Sequence, residues 1–159
     1  MHVFRRRAAV DRLRGLSVRK ILILCHGNII RSPFAAARLA VLIPRAKAIE
    51  VLSAGFIGPG RPAHERARSM AADRGIDLSN HVSRLLDDDL RAWSDLIVVM
   101  NRRQEQLVGA PHKTVILGDL DPAVVTRRTI PDPYGQDQSV FQESLDRIDR
   151  CIRVLASLL

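Results

Sequence analysis

The chain has few cysteines and no long apolar run. Its 159 residues include only two cysteines, Cys25 and Cys151, which is too few for a disulfide framework. This favours a reducing compartment, and we expect the cytoplasm. No apolar run approaches the ~20 residues that a membrane-spanning helix needs. The first residues, MHVFRRRAAVDRLRGL, contain no apolar h-region. We therefore expect neither a secretory signal nor insertion into a membrane.

Aromatic residues are also scarce, and the positive charge is unevenly distributed. Aromatic side chains make up 4% of the chain, whose net charge is +8. Residues 1–20 hold seven Lys/Arg and one acid, a net charge of +6. The remaining 18 Lys/Arg and 16 acids leave only +2. Because the body is nearly balanced and has few rings to stack on bases, a nucleic-acid partner is not expected.

The rest of the composition is typical of one globular domain with its own core. Hydrophobic residues make up 47% of the chain and charged residues 26%, as in ordinary soluble domains. Four short apolar segments alternate with helical patterns. The strands are predicted at 20–25, 49–53, 95–100 and 114–117, and the helices at 33–43, 64–74, 87–93, 102–108 and 137–159. This alternation predicts an α/β fold, a single-domain three-layer sandwich with a central four-stranded parallel sheet and helices on both faces.

Residues 1–18 form a basic N-terminal extension ahead of a domain that spans 19–159. Val10, Leu13 and Leu16 have helical spacing, so a short amphipathic helix is one interpretation. The other interpretation is a solvated basic tail. We favour the tail, because charge runs at chain termini are usually disordered. On that view the extension is dispensable for chemistry.

The chain is organised around residues 19–43. An apolar run ends at Cys25, a short polar loop follows, and Ser32-Pro33 opens a helical pattern. Ser32 is a favoured N-cap residue, and Pro33 fits the first helical position. The loop therefore leads into a helix N-terminus, where free N–H groups and the helix dipole attract anions.

Cys25 and Arg31 lie at the two ends of this loop, with five residues between them. The helix dipole and the guanidinium favour the thiolate form of the cysteine, which is the nucleophilic form. The guanidinium of Arg31 can bind two oxygens of a phosphoryl group. Gly27 and Asn28 tolerate positive φ angles, so the loop can turn successive N–H groups inward as an anion nest. A lone cysteine would more often be buried and inert, but this context favours a catalytic one.

The segment CHGNIIRSP resembles the signature of the low-molecular-weight protein tyrosine phosphatases, which is Cys, five residues, Arg and Ser. The resemblance extends from about Lys20 to the C-terminus. It implies hydrolysis of phosphotyrosine in proteins through a cysteinyl-phosphate intermediate. In that reaction Cys25 would be the nucleophile and Arg31 the clamp on the phosphoryl group.

Hydrolysis also needs a group that protonates the leaving oxygen and later activates water. Asp132 lies in the segment IPDPY, where prolines on both sides stiffen the loop. In isolation this pattern is typical of a turn. The family has an Asp-Pro-Tyr segment before its last helix, so the resemblance implies that Asp132 is the general acid and base.

Further residues receive roles from the resemblance or from their position beside the loop. The predicted substrate-binding residues are His26, Gly27, Asn28, Ile29, Ile30, Ser32, Phe56 and Tyr134. The residues predicted to hold the loop in shape are Asn28, Ser32, Ser53 and His81, with Ser32 also steadying the thiolate. The five histidines show no metal-ligand spacing, so we expect no metal and no other cofactor.

Three positions depart from the family pattern. Ile30 stands where the family often has a second cysteine, so an oxidised Cys25 would lack a neighbouring resolving thiol. Phe56 follows Ser-Ala-Gly, where a residue with a hydroxyl group is often found. His26 follows the nucleophile, where a small or apolar residue is common. Together with Tyr134, the two rings are predicted to wall the substrate entrance.

Several functions remain open at this stage. The short length and the IPDPY segment resemble the bacterial members, which often act on tyrosine autokinases of polysaccharide export. The expected partner is therefore a phosphotyrosine-containing protein, with phosphate or vanadate as inhibitors. An arsenate reductase of the same fold would need further cysteines, and phosphoarginine phosphatases carry Thr where Ile29 stands. A module that only binds phosphotyrosine would not need Cys25, Arg31 and Asp132 together.

The nucleophile assignment predicts the effect of Cys25→Ser. Turnover of aryl phosphates should fall by at least about 100-fold, because a serine hydroxyl here has no base to deprotonate it. Phosphate release measures the effect, and circular dichroism checks that the variant folds. A chelator should leave the unmodified enzyme fully active. Appreciable turnover by the variant, or a loss of activity with chelator, would contradict a metal-free thiolate mechanism.

Overall fold

The structure is a computed structural model that describes residues 1–159. Four strands, β1 (Lys20–Cys25), β2 (Glu50–Gly55), β3 (Leu96–Val99) and β4 (Thr114–Ile116), form one parallel sheet in the order β2-β1-β3-β4. The α-helices are α1 (His2–Arg14), α2 (Arg31–Leu42), α3 (Glu65–Ala72), α4 (Asp88–Trp93), α5 (Arg102–Val108) and α6 (Gln138–Leu158). The predicted α/β fold is confirmed, and the predicted strands and helices begin and end within two residues of the observed ones.

The helices cover both faces of the sheet. On one face a large core cluster joins α2, α3 and α6 through side chains such as Phe34, Met70 and Ile148. On the other face a smaller cluster joins Leu22 of β1 to Val108 of α5. Both faces of the strands are therefore buried, which explains why β1 is an unbroken apolar run. No helix of the protein has both the length and the apolar character needed to cross a membrane.

The strand order places Cys25 at the site-forming edge of the sheet. β1 has β2 on one side and β3 on the other, so the direction of the crossovers reverses here, and ligands bind outside the carboxyl ends of strands at such a point. Cys25 is the last residue of β1 and lies in register with Gly55. A Cβ at position 55 would lie 2.9 Å from the backbone nitrogen of Asn28 and from the carbonyl oxygen of His26. Only glycine lets the loop after β1 pack this closely on β2.

The start of α2 differs from the prediction. The helix begins at Arg31, its N-cap residue is Ile30, and no side chain caps it. Ser32 lies inside the first turn, and its hydroxyl contacts Cys25 Sγ. The predicted N-cap was wrong because this hydroxyl is used in the site. The N–H groups at the start of α2 are consequently left without a side-chain acceptor.

Residues 2–14 form a helix, so the prediction of a solvated tail was wrong. Ala9 and Leu13 are buried in the same large core cluster as the rest of the domain. The helix α1 packs against α6 and against a short 3₁₀ helix, Leu117–Leu120. The few apolar residues of the segment pack into a groove on the domain. Such a tertiary contact cannot be predicted from a charge-rich segment alone.

The docking of α1 predicts that Leu13→Ala destabilises the whole domain. We expect a loss of about 2 to 4 kcal/mol in the free energy of unfolding, because Leu13 is 4% exposed and its removal leaves a cavity. Urea denaturation measures the change. Val3→Ala, at a position that is 67% exposed in the same helix, is the matched control and should have little effect. Equal stability of the two variants would show that α1 is not docked.

Candidate active site

A cavity of about 270 Å³ opens at the carboxyl edge of the sheet. Its wall combines the loop after β1, the loop after β2 and the segment before α6. The lining residues are Cys25, His26, Gly27, Ile29, Ile30, Arg31, Ile57, Arg61, Asp132 and Tyr134. The three residues predicted to be catalytic, Cys25, Arg31 and Asp132, therefore lie around one cavity, although distant parts of the chain supply them.

The loop after β1, residues 26–30, has an unusual pattern of backbone hydrogen bonds. All of its carbonyl groups accept a hydrogen bond from outside the loop. The donors are the backbone N–H groups of Phe34, Phe56, Ile57 and His64 and the side chains of Arg61 and His81. None of the five N–H groups of the loop donates to a protein acceptor. Because a peptide unit is planar and trans, an outward carbonyl directs the next N–H to the opposite side. The loop is thus a nest of free donors, suited to an anion.

Asn28 holds this loop from behind. Its φ angle is 53°, in the left-handed region that asparagine tolerates. Its Nδ2 donates to Ser32 Oγ at 2.8 Å and to Ser53 Oγ at 2.9 Å. Its Oδ1 accepts from the backbone N–H of Arg84 at 3.0 Å, and its carbonyl accepts from His81 Nε2 at 2.6 Å. The four residues predicted to support the loop thus form one network, which Arg84 joins through its backbone.

His81 supports the loop as a neutral ring. It is half-buried, and this burial lowers its pKa below the usual value despite the opposing effect of the hydrogen bond to Asn28. A carbonyl oxygen only accepts, so the ring proton must lie on Nε2. The neutral ring tethers the loop without adding a charge beside the anion nest.

Three contacts position the residues that are predicted to be catalytic. Cys25 Sγ lies 3.0 Å from Ser32 Oγ, so the hydroxyl can donate to a thiolate. Arg31, which is 3% exposed, donates from Nη1 to the carbonyl of Ile130 at 3.1 Å and pairs through Nη2 with the carboxylate of Asp132. Its Nε is buried and has no acceptor. One guanidinium N–H is therefore free beside the free N–H groups of the loop.

Asp132 is accessible to solvent and yet held in place. Its side chain is 43% exposed, and its Oδ1 accepts from the N–H of Tyr134 at 3.2 Å. Ser144 of α6 donates to the carbonyl of Pro131 at 3.0 Å. A carboxyl group placed in this way can exchange protons with water while it faces the cavity.

Three of the predicted substrate-binding residues do not line the cavity with their side chains. Asn28 and Ser32 are fully buried behind the loop, and Asn28 contributes to the nest only through its backbone. Phe56 packs against the smaller core cluster, and Ile57 lines the wall in its place. Neighbouring side chains at a strand end point to opposite sides, which explains the exchange. Gly27 does line the wall, but it does not share the positive φ angle of Asn28.

Arg61 is a cavity residue that the sequence analysis missed. Its guanidinium donates to the carbonyl of Gly27 at 2.9 Å and to that of Gly58 at 2.7 Å. A Cβ at Gly58 would lie 2.5 Å from this guanidinium. The available signal was an arginine in a glycine-rich loop that leaves β2 at the edge where Cys25 lies. The cavity thus contains a second positive charge besides Arg31.

The chain is similar to known phosphatases over most of its length. A family described as "Low molecular weight phosphotyrosine protein phosphatase" matches residues 20–159. The low molecular weight protein-tyrosine-phosphatase Ptp of Acinetobacter johnsonii is 34% identical over 143 residues, 86% of this chain and 95% of that protein. The chain belongs to the low-molecular-weight protein tyrosine phosphatase family and is a phosphatase. The resemblance noted in the sequence is confirmed.

Solved structures share the fold. Wzb of Vibrio vulnificus in complex with benzylphosphonate is 31% identical, with a TM-score of 0.80 over 90% of this chain and 100% of that chain. The YwlE arginine phosphatase of Geobacillus stearothermophilus is 29% identical, with a TM-score of 0.76 over 87% of this chain and 91% of that chain. Because an arginine phosphatase has the same fold, the fold alone does not distinguish phosphotyrosine from phosphoarginine.

The network behind the loop predicts that Asn28→Ala weakens anion binding. The variant loses three side-chain hydrogen bonds and places alanine at a φ of 53°. Inhibition by inorganic phosphate should become weaker by about tenfold or more, because the loop donors lose their common direction. Asn80→Ala, at an exposed position next to His81 in the sequence, is the control and should not change this inhibition. Unchanged inhibition of a folded Asn28→Ala variant would rule out this role.

Proposed function

We propose that the protein hydrolyses phosphotyrosine in proteins through a cysteinyl-phosphate intermediate. The observation that carries the proposal is the row of free N–H groups between a thiol and a buried guanidinium. A phosphoryl dianion satisfies these donors and brings its phosphorus atom next to Cys25 Sγ. The match to tyrosine phosphatases supports phosphotyrosine as the ester.

In the first step Cys25 Sγ attacks phosphorus as a thiolate. The hydroxyl of Ser32, 3.0 Å from the sulfur, stabilises the thiolate by a hydrogen bond. The S–P bond forms while the bond from phosphorus to the tyrosine oxygen breaks, and that oxygen takes a proton from Asp132. The loop N–H groups and Arg31 stabilise the charge on the other phosphoryl oxygens.

The ion pair between Arg31 and Asp132 links substrate binding to acid catalysis. Nη1 of Arg31 donates to Ile130, so the edge formed by Nε and Nη2 is the one that can bind two phosphoryl oxygens. A dianion at this edge competes with Asp132 for Nη2. Binding of the dianion would therefore free the carboxyl group of Asp132 from its ion pair with Arg31. Substrate binding thereby prepares the acid that the first step consumes.

In the second step water releases the phosphoryl group. Asp132, now a carboxylate, takes a proton from a water molecule, and the water oxygen attacks phosphorus. The S–P bond breaks, inorganic phosphate leaves, and Cys25 returns to the thiolate. Product phosphate binds to the same donors as the substrate, so phosphate and vanadate should inhibit.

The cavity wall supports an aromatic ester. Ile29 and Ile57 supply apolar surface, and Tyr134 is 62% exposed at the rim. Apolar walls favour a phenyl ring over a guanidinium, in line with the Thr that phosphoarginine phosphatases carry at the position of Ile29. The proposed partner is a phosphotyrosine-containing protein, such as a tyrosine kinase of polysaccharide export, and the cytoplasm remains the predicted compartment.

The other candidate reactions have less support. An arsenate reductase relay would need a second reachable thiol. Cys151 is buried in α6, and burial raises its pKa to about 12, so it is an inert core residue. A module that only binds phosphotyrosine has no use for Asp132 at the cavity. Phosphoarginine hydrolysis is the alternative that a structural neighbour favours.

A substrate panel tests the proposed function. Matched peptides that carry phosphotyrosine, phosphoserine or phosphoarginine are compared by phosphate release. We expect kcat/KM to be highest for phosphotyrosine, by about tenfold or more, because the ring adds apolar contacts that the other two lack. Faster turnover of phosphoarginine would replace the proposed substrate while retaining the chemistry of the site.

The role of Asp132 predicts a dependence on the leaving group. Asp132→Asn keeps the size of the side chain but cannot donate an acidic proton. Turnover of phosphotyrosine, whose phenol has a pKa of about 10, should fall by roughly 100-fold or more. The loss on 4-nitrophenyl phosphate should be much smaller, because that leaving group needs little protonation.

Inhibition by vanadate is the control for this variant, and it should change little if the loop and Arg31 bind the anion. A residue that only shaped the turn would weaken vanadate binding and affect both substrates alike. Equal losses on the two substrates would therefore remove Asp132 from the mechanism.

A further inference from the structure

Helix α1 precedes the segment that matches the family, yet it contacts the part of the chain that leads to Asp132. Residues 121–134, here named the acid loop, contain no α-helix or strand. The loop must therefore be held by contacts from other elements. We propose that α1 is a positioning element for the acid loop and that Arg5 and His2 are its positioning residues. This inference rests on the proposed role of Asp132 as general acid.

Arg5 ties the first half of the acid loop to α1. Its Nη2 donates to the carbonyls of Val125 and Thr126 at 3.4 and 3.3 Å. Its Nε lies 3.5 Å from Oδ1 of Asp119, which is buried just before the loop. One guanidinium thus contacts both Asp119, just before the loop, and the first half of the loop.

His2 contacts the acid loop at its first residue. The ring is 7% exposed, and Nε2 donates to the carbonyl of Asp121 at 3.0 Å. The carboxylate of Asp121 has no exposed surface and accepts from Arg147 at 2.9 Å and from Arg150 at 2.8 Å. Burial opposes ionisation of Asp121, but the hydrogen bonds from Arg150, the N–H of Ala123 and Arg147 hold its pKa below the usual value. The loop is therefore fixed between α1 and α6 at this point.

Arg147 of α6 holds the acid loop at positions nearer to Asp132 as well. Arg147 also donates to the carbonyls of Arg127 at 2.6 Å and Thr129 at 2.8 Å. The next carbonyl, that of Ile130, accepts from Arg31 in the cavity. Contacts from α1, α6 and finally Arg31 of α2 thus follow one another along the loop from Asp121 to Ile130, two positions before Asp132.

Loss of the α1 contacts should affect proton donation more than nucleophilic attack. Cys25 and the anion nest are held by the sheet and by Asn28, and the polar contacts of α1 with the domain do not reach them. A small displacement of a catalytic group costs much of its effect. The defect should therefore appear with a basic leaving group and be nearly absent with a good one.

The experiment compares Arg5→Ala, Arg5→Lys and a deletion of residues 1–15 with the full chain. In Arg5→Ala and in the deletion, kcat on a phosphotyrosine peptide should fall about 5- to 20-fold, while kcat on 4-nitrophenyl phosphate falls less than about twofold. Arg5→Lys should recover part of the loss. Arg7→Ala is the matched control, because Arg7 is 83% exposed and pairs only with Asp11 of its own helix. The vanadate inhibition constant should stay unchanged throughout.

The inference would be overturned if a folded Arg5→Ala variant kept the full chain's ratio of kcat on the phosphotyrosine peptide to kcat on 4-nitrophenyl phosphate. Equal losses on both substrates would also overturn it, since they would mean a purely structural role. If the deletion does not fold, the single substitutions decide. Asp132→Asn, measured in parallel, separates a failure of the proposed role of Asp132 from a failure of the proposed role of α1. If Asp132→Asn loses equally on the phosphotyrosine peptide and on 4-nitrophenyl phosphate, the role of Asp132 as general acid is rejected. If Asp132→Asn loses more on the phosphotyrosine peptide and Arg5→Ala does not, only the role of α1 is rejected.

Discussion

The site depends on a loop whose backbone accepts hydrogen bonds from the protein but donates none to it. The carbonyls of residues 26–30 are bound by the surrounding elements, and the N–H groups of the same residues have no protein partner. Such N–H groups are unfavourable unless something binds them, at about 1–3 kcal/mol each where water is excluded. The loop keeps this form because the side chain of its own Asn28 and the side chains of His81 and Arg61 hold it in place. A dianion can accept from several of these donors together, so the loop is suited to bind a phosphoryl group.

Two separately supported halves meet across the cavity. The nucleophilic half is built on β1 and α2, where Cys25, Ser32 and Arg31 are close in sequence and rigidly packed. The acidic half is a segment without regular structure, held by arginines of α6 and by α1. Arg31 joins the halves, because it contacts Ile130 and Asp132 from inside the first half. In the proposed mechanism, the position of Asp132 therefore depends on the surface helices as well as on the sheet.

The sequence predicted what is local and periodic. Cys25 and Arg31 are recognisable because strand, loop and helix N-terminus are adjacent in the chain, and the fold follows from alternating apolar strands and helices. The docking of Leu13 was not predictable, since it depends on a groove that forms only after the domain folds. Whether Phe56 or Ile57 lines the cavity depends on where β2 ends. The end of a strand cannot be predicted from the sequence to one residue. Arg61 was missed because a glycine-rich loop has no period from which to infer the direction of its side chains.

The central claim is that turnover passes through a phosphoryl group bonded to Cys25. The direct measurement is to quench the enzyme during turnover of a phosphotyrosine peptide that carries labelled phosphate and to locate the label by mass spectrometry. The account predicts one labelled phosphoryl group on the sulfur of Cys25, formed at a rate that supports turnover. Label on another residue, or steady turnover with no covalent label at all, would contradict it.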